Sequence, residues 1–228
     1  MATNLPKDQI DSDALVTYFA VFNSWYKENK GIFFGAIAAV ILLVAGTIWF
    51  FSTSAQKEVE ARNLLTFAEN QFLMGQFETA LYGDDESMQP GLIEISSRFS
   101  RTEAGNLAKY YAAVSEVNLN NYESALSFIS DYRTPSGILG VAPLSLEGKI
   151  LVQLGRYSEA VRVFERAANW DTNDSTTPFN LLEAAEAAYL AGDHNRARTI
   201  VKRIKDEFPD SQQFTQAQRL NGMLSLAN

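Results

Sequence analysis

Residues 141–174 read VAPLSLEGKILVQLGRYSEAVRVFERAANWDTND, and this stretch decides the fold. Leu144, Gly148 and Leu151 recur at helical spacing, as do Ala160, Phe164 and Ala167, so two successive helices each carry one apolar stripe. Gly155 falls between them, where a glycine ends a helix because it tolerates the left-handed backbone of a C-terminal cap. Tyr157 follows two residues later and plugs the elbow. Ala160 is small enough for the two helices to approach closely where they cross, and a larger side chain would push them apart. The pattern predicts a helical hairpin that cannot bury its apolar faces alone and must stack on copies of itself.

Such copies exist. Gly75-Gln76-Phe77-x-x-Ala80 and Asn120-Asn121-Tyr122-x-x-Ala125 repeat the turn of Gly155-Arg156-Tyr157-x-x-Ala160, and Gly192-Asp193-His194-x-x-Ala197 keeps the frame with a histidine in the aromatic slot. A second unit covers residues 178–211 through Leu181, Ala185, Ala188, Gly192, Ala197 and Pro209. A third covers residues 106–139 through Ala113, Ala125 and Tyr132, and a fourth starts near Ala61 with Leu64, Ala68, Gly75 and Ala80. In that fourth unit residues 83–91, GDDESMQPG, interrupt the second helix, which should resume at Leu92 and end near Phe99. Residues 211–226 read as a capping helix with Ser211 as its N-cap and Gln212, Gln213, Gln216, Arg219 and Asn221 facing water. No stretch shows sustained strand alternation. The period and the turn residues resemble the 34-residue tetratricopeptide repeat. The expected fold is all-α: one N-terminal transmembrane helix, a solenoid of about four helix-turn-helix units, and a C-terminal cap.

The transmembrane expectation rests on residues 31–51, GIFFGAIAAVILLVAGTIWFF, which hold no charge. A helix of that length covers roughly 31 Å, about the thickness of a bilayer's hydrocarbon core. Ser52, Thr53, Ser54 and Ala55 resemble a signal-peptide processing site, but both the leader and the apolar run are too long for a cleaved signal. The expected organisation is therefore residues 1–30 as a cytoplasmic segment, 31–51 as the span and 52–228 as the repeat domain. Lys27 and Lys30 precede the span and Lys57 and Arg62 follow it further out, which leans toward a cytoplasmic N-terminus. Trp25, Tyr26, Trp49, Phe50 and Phe51 place rings at both ends, at headgroup level. Leu15, Tyr18, Phe19, Phe22, Trp25 and Tyr26 recur at helical intervals, either as a helix lying on the membrane surface or as an extension of the span. Gly31 and Gly35 form a GxxxG, a spacing common to many spans and a weak signal of dimerisation.

Composition narrows the function. The leader's Lys7, Lys27 and Lys30 stand against Asp8, Asp11, Asp13 and Glu28, so most of the net charge of −8 belongs to the residues from Ser52 onward. That sign repels phosphate backbones and argues against nucleic acid and anionic lipid as the main partner. The chain has no cysteine, which excludes disulfides and thiolate metal sites. Asp171-x-Asn173-x-Ser175 imitates the opening of a calcium loop, but the sixth position is Thr176 and the twelfth Leu182, so it is rejected. The single histidine, His194, sits in a repeat turn, and the acidic run Asp84-Asp85-Glu86 reads as a solvated loop. No set of nucleophile, base or metal ligands appears, so neither an enzyme nor a cofactor is expected.

Stacked repeats offer a face lined by their first helices. The frame assigns to it Leu65, Phe72, Tyr110, Val114, Asn118, Lys149, Val152, Phe179, Leu182 and Tyr189, with Glu69, Ser145 and Glu186 beside them. Aromatic and aliphatic residues with few charges suit an apolar helix or an extended segment, the alternative for each being ordinary packing between repeats. Tyr110, Val114 and Ser145 fill the slots where co-chaperone repeats carry the basic and asparagine residues that grip a carboxylate. Residues 80–84 (ALYGD), the run 104–112 (AGNLAKYYA) and Thr176-Thr177-Pro178-Phe179 resemble single-span, membrane-anchored tetratricopeptide proteins of the Bacteroidetes and Chlorobi group. The layout and residues 25–31, WYKENKG, are distantly similar to the ancillary subunit of the bacterial Sec translocon. That resemblance implies an inner-membrane protein with a cytoplasmic N-terminus, periplasmic repeats, and the translocon or periplasmic chaperones as partners. The function expected is a membrane-tethered interaction scaffold in protein export or envelope biogenesis, the alternative being a structural accessory subunit of a larger membrane complex.

Because the core of a solenoid forms between neighbouring repeats, a fragment beginning at Ala55 should fold without the span. Its circular dichroism should be dominated by helix, and a spectrum of strand or disorder would refute the architecture.

Overall fold

A computed structural model describes residues 7–226 and contains eleven α-helices among them. The chain divides into two compact units between Gln56 and Lys57. In the first, α1 (Lys7–Glu28) meets α2 (Lys30–Leu73) at Asn29, whose N–H donates to Trp25 O at 2.9 Å and whose carbonyl accepts from Phe33 N–H at 3.0 Å. Tyr26 and Phe33 rings meet edge to face at 4.9 Å across the same point. The Phe22 and Phe33 rings also meet, at 6.0 Å, although eleven residues of straight helix rise about 16 Å, so the chain bends at Asn29 and the leader is a helix distinct from the apolar one; the side chains of Leu15 and Phe50 lie outside the described residues. The most apolar 18 residues of α2 have a mean hydropathy of 2.5 and none is buried, so α2 is long and apolar enough to cross a membrane. Thr47, the one hydroxyl in the apolar block, donates back to Leu43 O at 2.8 Å, which satisfies it within the helix. No helix end falls at residue 51. Residues 52–60, STSAQKEVE, contain neither Gly nor Pro, and α2 continues to Leu73.

The repeats follow in pairs. The end of α2 pairs with α3 (Phe77–Tyr82) and α4 (Leu92–Arg98); α5 (Glu103–Asn118) pairs with α6 (Tyr122–Ser130); α7 (Val141–Gln153) with α8 (Tyr157–Trp170); α9 (Thr176–Leu190) with α10 (His194–Glu207); α11 (Phe214–Leu226) closes the series. All four expected turns take one form. Gly75, Asn120, Gly155 and Gly192 have φ between +62° and +78°. At each, that residue's N–H bonds the carbonyl three back and the next residue's N–H the carbonyl five back, as in Gly155 to Val152 O at 3.0 Å and Arg156 to Leu151 O at 2.8 Å. This pair of hydrogen bonds satisfies carbonyls that a helix end would otherwise leave orphaned.

Packing follows the small residues. Ala80, Ala125, Ala160 and Ala197 are all fully buried at the helix crossings. In the third pair Gly148 lies against Phe164 so closely that an added Cβ would sit 2.6 Å from its ring. A continuous apolar core joins α8, α9, α10 and α11 through Phe164, Leu181, Val201, Ile204 and Leu220, and a separate one joins α2, α3, α4 and α5 through Leu65, Leu81, Ile95 and Ala108.

Between these cores the second repeat departs from the apolar rule. Lys109 and Glu116 occupy the slots held by Leu144 and Leu151 in the third repeat, yet are only 8% and 3% exposed. Each is satisfied locally: Lys109 Nζ pairs with the Asp131 carboxylate and donates to Asp131 O at 3.1 Å, while Glu116 accepts from Asn121 Nδ2 at 2.8 Å and Ser124 Oγ at 2.7 Å. A buried charge is tolerated only with such partners.

Three expectations need correction. Residues 83–90 are not simply a loop: β1 (Gly83–Asp84) and β2 (Gln89–Pro90) form a short antiparallel ladder before α4. The second repeat's helical pair runs from Glu103 to Ser130 rather than from 106 to 139, because the chain leaves the helix at Asp131 and crosses to α7 through residues 131–137 and a 3-10 turn at Ile138–Gly140. Trp170 pins this crossing, its Nε1 donating to Pro135 O at 3.0 Å. Ser211 is not the cap of α11, since its hydroxyl donates to Phe208 O at 2.8 Å and the helix starts at Phe214.

Ala160 has no exposed surface, so Ala160→Leu should overpack the α7–α8 crossing and cost roughly 1–3 kcal/mol. Thermal unfolding followed at 222 nm reads the effect, and an unchanged midpoint would mean the crossing lies elsewhere.

Candidate protein-binding face

The first helices of successive pairs bring their side chains to one side of the repeat unit. Tyr110 from α5, Lys149 from α7 and Phe179 from α9 converge on a cleft of about 520 Å³. The Lys149 ammonium stands 5.1 Å from the centre of the Phe179 ring, a cation–π distance. Behind them Ser145 Oγ donates to Asn180 Oδ1 at 2.6 Å, and Asn180 Nδ2 donates to Thr176 O at 2.8 Å. The Asn180 amide, 1% exposed, is thereby satisfied at both ends and ties α7 to α9.

A second cleft of about 340 Å³ opens between α2 and α5, bordered by Arg62, Glu69, Glu103, Asn106 and Tyr132. Tyr110 lines the first cleft and Tyr132 the second, and their rings lie 5.7 Å apart, so the pair is the wall between the two. The ring contacts continue from Tyr110 to Tyr111 at 6.2 Å, Tyr111 to Phe72 at 4.8 Å and Phe72 to Phe77 at 5.8 Å. Tyr111 OH donates to Glu69 Oε1 at 2.8 Å. Burial together with that bond and the Glu69 charge pushes the Tyr111 phenol up to about 12. Burial raises Tyr110 and Tyr132 as well, the second with help from Tyr110 and Glu103, so all three phenols stay protonated donors at neutral pH.

The predicted residues therefore separate. Tyr110, Lys149 and Phe179 share one cleft, and Phe72 belongs to the aromatic row. Leu65 and Leu182 are core side chains, 3% and 6% exposed, though Leu65 also borders the smaller cleft. Val152 packs against the α8–α11 core, and Tyr189 stacks on His194 at 5.5 Å with the rings 19° from parallel. Asn118 bonds back to Val114 O at 2.8 Å on the last turns of α5. The frame missed Tyr111, Tyr132 and Asn180. Tyr111 is Tyr110's neighbour in sequence, and only the wide crossing after α6 lets Tyr132 turn back onto α5.

Other candidate residues serve as turn formers. Asp84 accepts from Ser87 Oγ at 2.6 Å and from the Glu86 amide at 3.1 Å, bonds that hold its carboxyl below the usual value. Asn173 Oδ1 accepts from the amides of Ser175 and Thr176 at 2.9 and 2.8 Å, closing the turn that starts α9. The Asp171 to Ser175 spacing thus builds a helix start.

No curated protein and no solved structure matches this chain. Residues 151–220, which include α8, α9 and α10, match the family model described as a tetratricopeptide repeat. The matched residues lie within a longer run of helical pairs with common turns, a helical-repeat region that follows an apolar N-terminal helix.

Proposed function

We propose that the protein is a membrane-tethered scaffold that binds another polypeptide on the face formed by its first helices, in protein export or envelope biogenesis. The observation that carries the binding role is the cleft where Tyr110, Lys149 and Phe179 converge from three successive repeats. Large rigid aromatics in a shared concavity are the usual carriers of interface energy. The tether is α2, whose apolar block presents Ile32, Phe34, Val40, Leu42 and Leu43 to the surroundings rather than to a core. Lys27 and Lys30 before the block favour a cytoplasmic N-terminus, which would put the repeats in the periplasm. The resemblance to the ancillary translocon subunit points to the translocon or to periplasmic chaperones as the partner.

The test is affinity purification of the full chain from membranes in mild detergent, comparing the unaltered protein with Tyr110→Ala and Phe179→Ala. Each substitution should weaken partner association by roughly 2 kcal/mol or more and leave helicity intact, whereas Asp84→Asn should do little because an exposed charge affects mainly encounter rate. Recovery of translocon components lost in the aromatic variants supports the proposal. Retention of every partner by both aromatic variants would refute the binding face, and a stoichiometric complex unrelated to export would assign the chain as an accessory subunit of that complex.

A further inference from the structure

The second half of α1 is two-faced. At 3.6 residues per turn, Tyr18, Phe19, Phe22, Trp25 and Tyr26 fall within an arc of about 120°. Thr17, Asn23, Ser24 and Lys27 occupy the opposite arc, with Val16 and Ala20 as its apolar members. Asp8 and Asp11 fall on the ring arc earlier in the helix, so the amphipathic stretch is confined to residues 16–28. Tyr18, Phe19, Phe22 and Trp25 are all exposed, and four large rings on one side of a helix are unfavourable in water.

The bend at Asn29 says on which side their occupant lies. Asn29 N–H and Nδ2 both donate to Trp25 O, at 2.9 and 3.0 Å, where α1 ends. Across this point Phe22 meets Phe33 at 6.0 Å, and Tyr26 meets Phe33 at 4.9 Å and Phe34 at 6.3 Å. Phe33 and Phe34 belong to the uncharged block 31–51. Rings eleven residues apart can touch only on the inner side of a bend, so the aromatic arc of α1 is turned toward the apolar block and the polar arc away from it. A bilayer that takes up the block therefore meets the rings of α1 and leaves Ser24 and Lys27 in water. Carrying α1 straight on into the hydrocarbon would instead bury Lys27, Glu28 and Lys30, at a cost of several kcal/mol.

The chemistry of the face selects the headgroup layer. Residues 16–28 hold one lysine and one glutamate, so charge offers no attraction to anionic lipid. Tyrosine and tryptophan rings, apolar in body and polar at one edge, settle at the boundary between hydrocarbon and water. We infer that residues 16–28 form an interfacial helix lying in the headgroup layer at the mouth of the span, ring arc inward, held to zwitterionic lipid by apolar burial rather than by charge. The inference rests on the membrane-tether reading and adds where the leader sits and which lipid it needs.

The chain has no cysteine, so a single introduced cysteine takes a nitroxide label without competition. The full chain is reconstituted in phosphatidylcholine vesicles with the label at Tyr18→Cys or Phe19→Cys on the ring arc, Ala20→Cys or Ser24→Cys on the polar arc, or Val40→Cys in the apolar block. Power-saturation electron paramagnetic resonance compares collisions with oxygen, which concentrates in lipid, and with a water-soluble nickel chelate. The oxygen-to-nickel ratio on the ring arc should exceed that on the polar arc by roughly threefold or more, at a depth shallower than the Val40 label. Replacing a third of the lipid by phosphatidylglycerol, or raising the salt, should leave this difference unchanged. Circular dichroism checks that each labelled variant keeps its helix. Equal ratios on both arcs, whether all in water or all in lipid, would overturn the inference and leave the tether standing if the Val40 label lies deep. Ring-arc labels shielded from both reagents would assign the face to a protein neighbour and overturn it too. Immersion of the ring arc only with phosphatidylglycerol would overturn it by making charge the attraction. A Val40 label in water would remove the tether reading and the inference with it.

Discussion

Everything in the repeat unit depends on how closely two antiparallel helices of one pair can approach. Ala80, Ala125, Ala160 and Ala197 are fully buried where those pairs cross, and Gly148 meets the Phe164 ring with no room for a methyl group. Given that spacing, a large apolar side chain from one helix can reach across its partner to the next pair, so the core becomes continuous from Phe164 to Leu224. The left-handed turn residue is the second half of the constraint. It fixes the direction in which the second helix leaves, and the two backbone bonds around it are the same in all four turns.

With spacing and turn fixed, the slots between them tolerate chemistry that would be costly elsewhere. The second repeat holds Lys109 and Glu116 where the third holds leucines, and each charge is met by partners from its own turn or from the chain just beyond α6. The chain leaves the helix after Ser130, at the residue that pairs with Lys109. That departure produces the crossing in which Tyr132 returns to stack on Tyr110 and in which Ile138 borders the larger cleft.

This also explains what could be read from the chain. The turns at Gly75, Asn120, Gly155 and Gly192 and the small residues five positions beyond each were legible because they answer to local geometry. The break in the first repeat and the restart at Leu92 were legible from the Gly, Pro and acidic residues of 83–91. The burial of Leu65 and Leu182 was not legible, because a helical frame gives the angle of a side chain but not the height of its neighbours. Tyr132 and Asn180 were invisible as site residues because their roles come from contacts across 22 residues or more of chain, with Tyr110 and Ser145 respectively. The two-residue ladder at Gly83 and Asp84 is too short to leave an alternating pattern.

A scaffold of this kind gains its binding surface from stacking, so the approach of helices within a pair is the claim to test. Glycine inside an exposed helix is worth about 1 kcal/mol less than alanine, so where space is open a Gly→Ala change stabilises. At Gly148 the ring of Phe164 fills that space. The measurement is the denaturation midpoint of Gly148→Ala in the unaltered chain and in a Phe164→Leu background. The account predicts destabilisation of roughly 1–3 kcal/mol in the first and a smaller loss or a gain in the second. Stabilisation by Gly148→Ala in the unaltered chain, or equal effects in both backgrounds, would contradict it.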